Sequence, residues 1–254
     1  MKLTIAQYQI QYGQPSQNLA IIQTLAGKAH ADQSNLLMLP ELCLHGYHSD
    51  SIRLDTKSHL PEVLPVLSDI CKENLLDLCG SFVEEEDGNR YNTMIYLDQQ
   101  GHLLAKYRKT HLFRPLNEHR YFHPGDLVKV VDTAYGKLGL AICYDLRFPE
   151  LFRAMLAQGV KGFLICAEWP VERIEHWQSI LRARAIENLA WIGACNCTGI
   201  TGKAIFGGSS LFFTPWGDTL AQLEGEECQT IEFDPGITDR IRQENPFLDD
   251  WRPF

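Results

Sequence analysis

GLAICYDLRFPE, Gly139 to Glu150, decides how this chain is read. Apolar Leu138, Leu140, Ala141 and Ile142 carry a short buried strand into the core, and Tyr144, Asp145 and Arg147 break it at once. Between them stands Cys143, a thiol at the rim of a sheet beside charged residues. That placement is analogous to the strand-to-helix elbow that exposes hydrolase serines. Two other apolar runs end in the same way, LLMLP at Glu41 and LLAKYR at Lys109.

Outward from this stretch, extended apolar runs recur along the chain. Leu3 to Gln9 alternates like a half-buried strand, and Leu36 to Leu39 reads as a central one. Leu78 to Val83, Thr93 to Leu97 and Leu103 to Tyr107 read as successive strands, punctuated by EDGN (Glu86 to Asn89) and Gly101. Val128 to Val131 and Leu138 to Ile142 flank a turn at Tyr135-Gly136, and Phe163 to Cys166, Leu189 to Ala194, Ser209 to Phe213 and Thr230 to Phe233 continue the series. Helical patterns lie between them: one capped by Ser16, then Pro61 to Leu75, Pro149 to Gln158, and Val171 to Asn188 with Ile174, Trp177, Leu181 and Ile186 on its face. Helices alternating with apolar strands predict an α/β layer fold, and the central hairpins exclude a purely parallel barrel. No linker divides residues 1–254, so one domain is expected. The polar, Pro-punctuated tail from about residue 235 ends in Trp251 and Phe254, which predicts docking, possible at a subunit interface.

The 254 residues are 45% hydrophobic and 22% charged, with a formal net charge of −9. This balance and the absence of a Lys/Arg run argue against nucleic-acid binding. No stretch has signal-peptide or membrane-span length, so a cytoplasmic protein with reduced thiols is expected. The eight Cys form no zinc-like pairs, and Cys195 and Cys197 read as small apolar residues on one face of a strand. HGYH (His45 to His48) and HRYFH (His119 to His123) lack the HExxH pattern and read as satisfied histidines rather than metal ligands.

Glu41, Lys109 and Cys143 would form an acyl-transfer set if their strands are neighbours. A carboxylate partly removed from water can take the thiol proton, and an ammonium can hold an oxyanion. Taken singly, each has a plainer role. Glu41 could cap the turn after Pro40, Lys109 could be a solvated strand end, and Cys143 a buried apolar residue.

LPELCLHGY, YRKTHLF and GLAICYDLRFPEL resemble, in order, the three signatures of the nitrilase, or carbon–nitrogen hydrolase, superfamily. NEHRYFHPGD, AEWP, HWQSILRARAIEN and GGSSLFFTPWGD extend the likeness over nearly the whole chain. The resemblance implies a four-layer αββα sandwich and a Glu-Lys-Cys triad mapping to Glu41, Lys109 and Cys143. It maps a second glutamate to Glu118, whose alternative is a solvated loop carboxylate. No metal or organic cofactor is expected from it, and a homodimer is.

HLFR, NEH, AEWP, HW, RARAIEN and the WRPF ending are similar to the bacterial omega-amidase branch, YafV-type. That implies ω-amides of dicarboxylic keto acids, such as α-ketoglutaramate or α-ketosuccinamate, cleaved through a cysteine thioester with release of ammonia. Alternatives are a deaminated-glutathione amidase, an N-carbamoyl hydrolase, or a non-catalytic binding protein on the same fold. A distal carboxylate calls for a cation, and Arg147 could grip it or pair with Asp145 or Glu150. Tyr144 would offer its backbone N–H to the oxyanion, and Tyr47, Phe113 and Trp169 could wall the pocket or the core. Arg182 and Arg184 read as packing and ion-pair residues. Asn196 to Ser210 departs from the branch, being shorter and less charged, with Cys197 where Arg is common.

Overall fold

The computed structural model describes residues 1–201 and 204–252. The chain opens with β1 (Lys2–Gln7), α1 (Pro15–Ala31), β2 (Leu36–Met38), α2 (Ser49–Leu54) and α3 (Leu60–Asn74). A meander follows: β3 (Asp77–Glu86), β4 (Asn89–Leu97) and β5 (Leu103–Arg108). Next come β6 (Val130–Thr133), β7 (Gly136–Ile142), α4 (Pro149–Leu156), β8 (Gly162–Ala167), α5 (Ile174–Asn188) and β9 (Trp191–Asn196). The remainder is β10 (Thr198–Thr201), β11 (Ala204–Gly207), β12 (Leu211–Phe213), β13 (Thr219–Gln222), β14 (Glu227–Glu232) and α6 (Ile237–Glu244).

Among the described residues, two six-stranded sheets form, in the orders β14-β1-β2-β3-β4-β5 and β13-β12-β9-β8-β7-β6. They face each other. A methyl group added at Gly193 of β9 would lie 3.4 Å from Leu3 Cδ1 of the opposite sheet. Period-2 alternation explains the layers. In β1 and β2, Leu3, Ile5, Leu36 and Met38 enter the inter-sheet core. Ala6 and Leu37 point the other way, against Ile22 and Ala26 of α1 and Leu67 and Ile70 of α3. On the second sheet, α4 and α5 bring Phe152, Met155, Trp177 and Leu181 to the core. The result is the expected four-layer αββα sandwich. Gly162 lets β8 and β9 close up, because a Cβ there would fall 2.1 Å from the Trp191 indole, its register partner.

Strand direction positions the site. β1, β2 and β3 are parallel, and β4 is antiparallel to both β3 and β5, so β5 runs with β2. In the second sheet β7, β8 and β9 are parallel. The carboxyl ends of β2, β5, β7 and β8 are where ligands collect in such sheets.

Several local expectations are corrected. Ser16 is not a cap. α1 begins one residue earlier at Pro15, whose missing N–H has no intrahelical acceptor to lose. Ile186 is exposed, and the buried face of α5 is instead completed by Arg184, Ala185 and Asn188. Arg184 bonds the Leu146 carbonyl and pairs with Glu187, as its packing and ion-pair reading requires. Cys195 and Cys197 are buried, but Cys197 lies beyond the end of β9 and the two thiols belong to separate clusters. Asn196 to Ser210 is not a plain loop, since β10 and β11 form a hairpin within it, with Gly202 and Lys203 outside the described residues. Phe254 also lies outside them.

The described tail docks on its own chain. Thr238 donates to the Lys161 carbonyl at 2.7 Å, and Arg242 donates to the carbonyls of Val160, Asn188 and Leu189, each at 3.0 Å. Arg153 lies 5.9 Å from the Trp251 ring centroid. Among the described residues no helix is long and apolar enough to cross a membrane. Arg242→Ala leaves three carbonyls without their donor and is expected to lower stability by roughly 1–3 kcal/mol. Urea unfolding should show a lower midpoint with an unchanged slope.

Candidate active site

The carboxyl ends of the named strands converge. Glu41 follows β2 after Leu39-Pro40, Lys109 follows β5, Cys143 follows β7, and Glu168 follows β8. The two sheets are tied at this rim. Glu41 N–H donates to the Ala167 carbonyl at 3.4 Å, and Glu168 N–H donates to Glu41 Oε2 at 2.9 Å.

Lys109 Nζ is the hub. It lies 2.7 Å from Glu41 Oε1, 3.0 Å from both Glu118 carboxylate oxygens, and 3.0 Å from the Tyr47 hydroxyl. The Tyr47 hydroxyl stands 2.5 Å from Glu41 Oε1 and 2.9 Å from Glu118 Oε1, one proton serving both. Asn92 Nδ2 donates to Glu41 Oε1 at 2.8 Å, and Phe113 N–H donates to Glu118 Oε2 at 2.5 Å. Glu41, Lys109 and Glu118 are all buried, so neither the solvated-lysine nor the solvated-carboxylate alternative holds.

Burial alone would raise the pKa of Glu41, but Lys109, the Tyr47 hydroxyl and the Glu168 N–H overcome it and hold the carboxyl below the usual glutamate value. Burial opposes the charge on Lys109, yet Glu118 and Glu41 raise its pKa well above the usual lysine value. The Cys143 thiol is pushed well up, by burial first and then by the Glu41 charge, with Lys109 opposing. The resting pair is therefore a carboxylate and a neutral thiol, with the base already ionised.

Cys143 opens a short 3-10 turn, Cys143–Arg147, in a left-handed conformation with φ of 46°. A residue with a Cβ is strained there. Asp145 fixes the turn by accepting from Ile142 N–H at 3.1 Å, Tyr107 OH at 2.8 Å and His111 N–H at 3.0 Å.

Cys143 faces a cleft of about 360 Å³, counted with its mouth. All five sequence candidates for substrate contact, Tyr47, Phe113, Tyr144, Arg147 and Trp169, line it. Asp145 is engaged elsewhere, and among the described residues no carboxylate pairs with Arg147. Its guanidinium lies 5.0 Å from the Trp169 ring centroid and 3.2 Å from His176 Nδ1. Sequence reasoning missed Glu168 and Arg173, which also line the cleft, and Asn92, which steadies both catalytic-side carboxylates. The only available signal was AEWP, in which Glu168 follows an apolar strand just as Glu41 does. His45 is buried near His59, and burial lowers its pKa to about 4. The Asp55 backbone faces the His45 ring, which otherwise makes no hydrogen bond among the described residues. Among the described residues no three His, Cys, Asp or Glu side chains form a metal-binding group.

The profile of the family described as "Carbon-nitrogen hydrolase" matches residues 2–240. The chain belongs to this family and is a carbon–nitrogen hydrolase. It is 36% identical over 264 residues to the "2-oxoglutaramate amidase" of Bacillus subtilis, covering 99% of this chain and 98% of that protein. A carbon-nitrogen hydrolase from Helicobacter pylori superposes with a TM-score of 0.92 at 26% identity, covering 99% of this chain and 95% of that one. An amidase from Nesterenkonia sp. AN1 superposes with a TM-score of 0.87 at 26% identity, covering 99% and 97% of the two chains. That structure is of a mutant of the amidase and shows covalent addition of the acetamide moiety of fluoroacetamide at its active-site cysteine.

Removing the hub cation is a direct test of the buried charges. In the wild type Glu41 has a lowered folded pKa, so its stabilising contribution is full above its unfolded value and is lost as pH falls through the folded one. Lys109→Met strands two buried carboxylates and is expected to cost roughly 3–5 kcal/mol. The deficit should be largest in neutral buffer and should narrow in acidic buffer as the Glu41 carboxyl protonates. Denaturant unfolding at the two conditions checks both the sign and the trend.

Proposed function

We propose that this enzyme is an omega-amidase: a thiol hydrolase that cleaves the C–N bond of small ω-amides of dicarboxylic keto acids, with α-ketoglutaramate the leading substrate. The observation that carries this reading is a cation at the cleft with no carboxylate partner among the described residues, Arg147, beside a thiol whose base is already charged. The Bacillus subtilis relative named "2-oxoglutaramate amidase" supports the same substrate class.

The chemistry follows from the geometry. Glu41 takes the Cys143 proton as the sulfur attacks the amide carbon. The carbonyl oxygen becomes an oxyanion, for which Lys109 and the Tyr144 backbone N–H are the donors. The three N–H donors of Lys109 already serve Glu41, Glu118 and the Tyr47 hydroxyl. Tyr47 is the neutral acceptor among these, so it is the one the oxyanion displaces. Collapse breaks the C–N bond, the nitrogen takes the proton from Glu41, and ammonia leaves. Glu41 then removes a proton from water, which attacks the thioester. The acid is released and the sulfur recovers its proton. Glu118 holds Lys109 in place throughout.

The reading is tested by steady-state ammonia release from α-ketoglutaramate, deaminated glutathione and an N-carbamoyl amino acid. Preference for the first is expected. Absence of ammonia release from any ω-amide would reject it. Arg147→Lys loses the planar two-toothed grip on a distal carboxylate. It should raise KM for carboxylate-bearing amides while affecting neutral amides much less. Equal losses on both would remove the carboxylate role from Arg147.

A further inference from the structure

Lys109 and Cys143 account for one residue each of the stretches YRKTHLF and GLAICYDLRFPEL. A second pair from the same two stretches also meets, and the proposed chemistry makes no use of it. His111 Nδ1 lies 2.8 Å from Asp145 Oδ1. Asp145 is fully buried, and His111 is half-buried beside it. A carboxylate can only accept, so Nδ1 is the protonated nitrogen and donates.

This pair joins the two halves of the site. Asp145 stands two residues after Cys143, in the turn that also holds the Tyr144 N–H. Its carboxylate takes three bonds from the segment that carries Lys109: the His111 ring, the His111 N–H at 3.0 Å and the Tyr107 hydroxyl at 2.8 Å. Tyr107 and His111 lie two residues before and two residues after Lys109. A fourth bond, from Ile142 N–H at 3.1 Å, comes from the residue before Cys143. One buried carboxylate therefore binds the chain next to the nucleophile and both flanks of the buried ammonium. The His111 ring also stacks on Phe148, with centroids 3.7 Å and planes 8° apart, and Phe148 ends the turn. Lys109 follows a strand of one sheet and Cys143 a strand of the other, so these contacts tie the sheets together at the site.

We propose that His111 and Tyr107, acting through Asp145, are positioning residues that set how Lys109 meets the nucleophile turn. Neither touches a reacting atom. The oxyanion needs Lys109 Nζ and the Tyr144 N–H at the same moment, and a misplacement of about 1 Å can cost roughly a hundredfold in rate. The hydrogen bonds to Asp145 carry this role, while the stacking of His111 on Phe148 contributes stability. The inference rests on the omega-amidase reading, in which Cys143 is the nucleophile and Lys109 an oxyanion donor.

The test separates the bond from the stack. His111→Asn keeps a donor near the place of Nδ1 and loses the ring. His111→Phe keeps a ring for Phe148 and loses the donor. Tyr107→Phe removes the bond on the other side of Lys109. For each, kcat and KM on α-ketoglutaramate are measured beside thermal unfolding, with kcat counted per folded molecule. His111→Asn is expected to unfold at a lower temperature than wild type and still retain most of its kcat. His111→Phe should unfold close to wild type and lose kcat about tenfold or more, with KM changing much less, because the misplaced groups act in the transition state. Tyr107→Phe should also lose kcat with little change in KM. Wild-type kcat in either folded variant, His111→Phe or Tyr107→Phe, or a larger loss in His111→Asn than in His111→Phe, overturns the positioning role and leaves the omega-amidase reading standing. A wild type that releases no ammonia from any ω-amide overturns that reading, and this inference with it.

Discussion

The site depends on one buried ammonium. Lys109 sits between Glu41 and Glu118 with essentially no access to water, and each of its neighbours is costly to bury without it. One cation against two carboxylates leaves a net negative centre. The Tyr47 hydroxyl, the Asn92 amide and the backbone N–H groups of Glu168 and Phe113 spread that charge. The consequence for chemistry is direct. Burial and then the Glu41 charge keep Cys143 protonated at rest, while Lys109, the Tyr47 hydroxyl and the Glu168 N–H keep Glu41 ionised. On the proposed chemistry the nucleophile would be made during attack and not stored as a thiolate.

The network exists because two sheets present their carboxyl ends to the same place. Glu41 and Lys109 come from the first sheet, Cys143 and Glu168 from the second. No local stretch of chain could supply these groups together, so the sandwich is the device that brings them into contact. The bond from Glu168 N–H to Glu41 Oε2 crosses between the sheets and couples their packing to the orientation of the base.

Much of this was legible in the sequence. Glu41, Lys109 and Cys143 each follow an apolar run, and polar residues at strand ends fall at a sheet's rim. The resemblance of the motifs to those of the carbon–nitrogen hydrolases then implied the αββα arrangement. Other features were hidden for physical reasons. Glu168 also ends an apolar run, but AEWP carries no sign of the bond its N–H makes to Glu41, since partners come from distant segments. Arg173 lines the cleft beside Phe113, a residue remote in sequence whose ring centroid lies 5.2 Å from its guanidinium. Ile186 fits the helical period yet faces solvent, because Arg184 uses its long stem and the Leu146 carbonyl to take the buried position. The tail's aromatic residues signalled docking, but Arg242, a polar residue on α6, makes the bonds that hold it.

The central claim is that the sulfur of Cys143 carries the acyl group during turnover, with Glu41 and Lys109 acting on it from the buried network. Mass spectrometry of enzyme quenched during turnover of α-ketoglutaramate addresses it most directly. The account predicts an added mass equal to the substrate's acyl group on the peptide containing Cys143. Ammonia release with that peptide unmodified throughout, or an adduct carried by another cysteine, would contradict it.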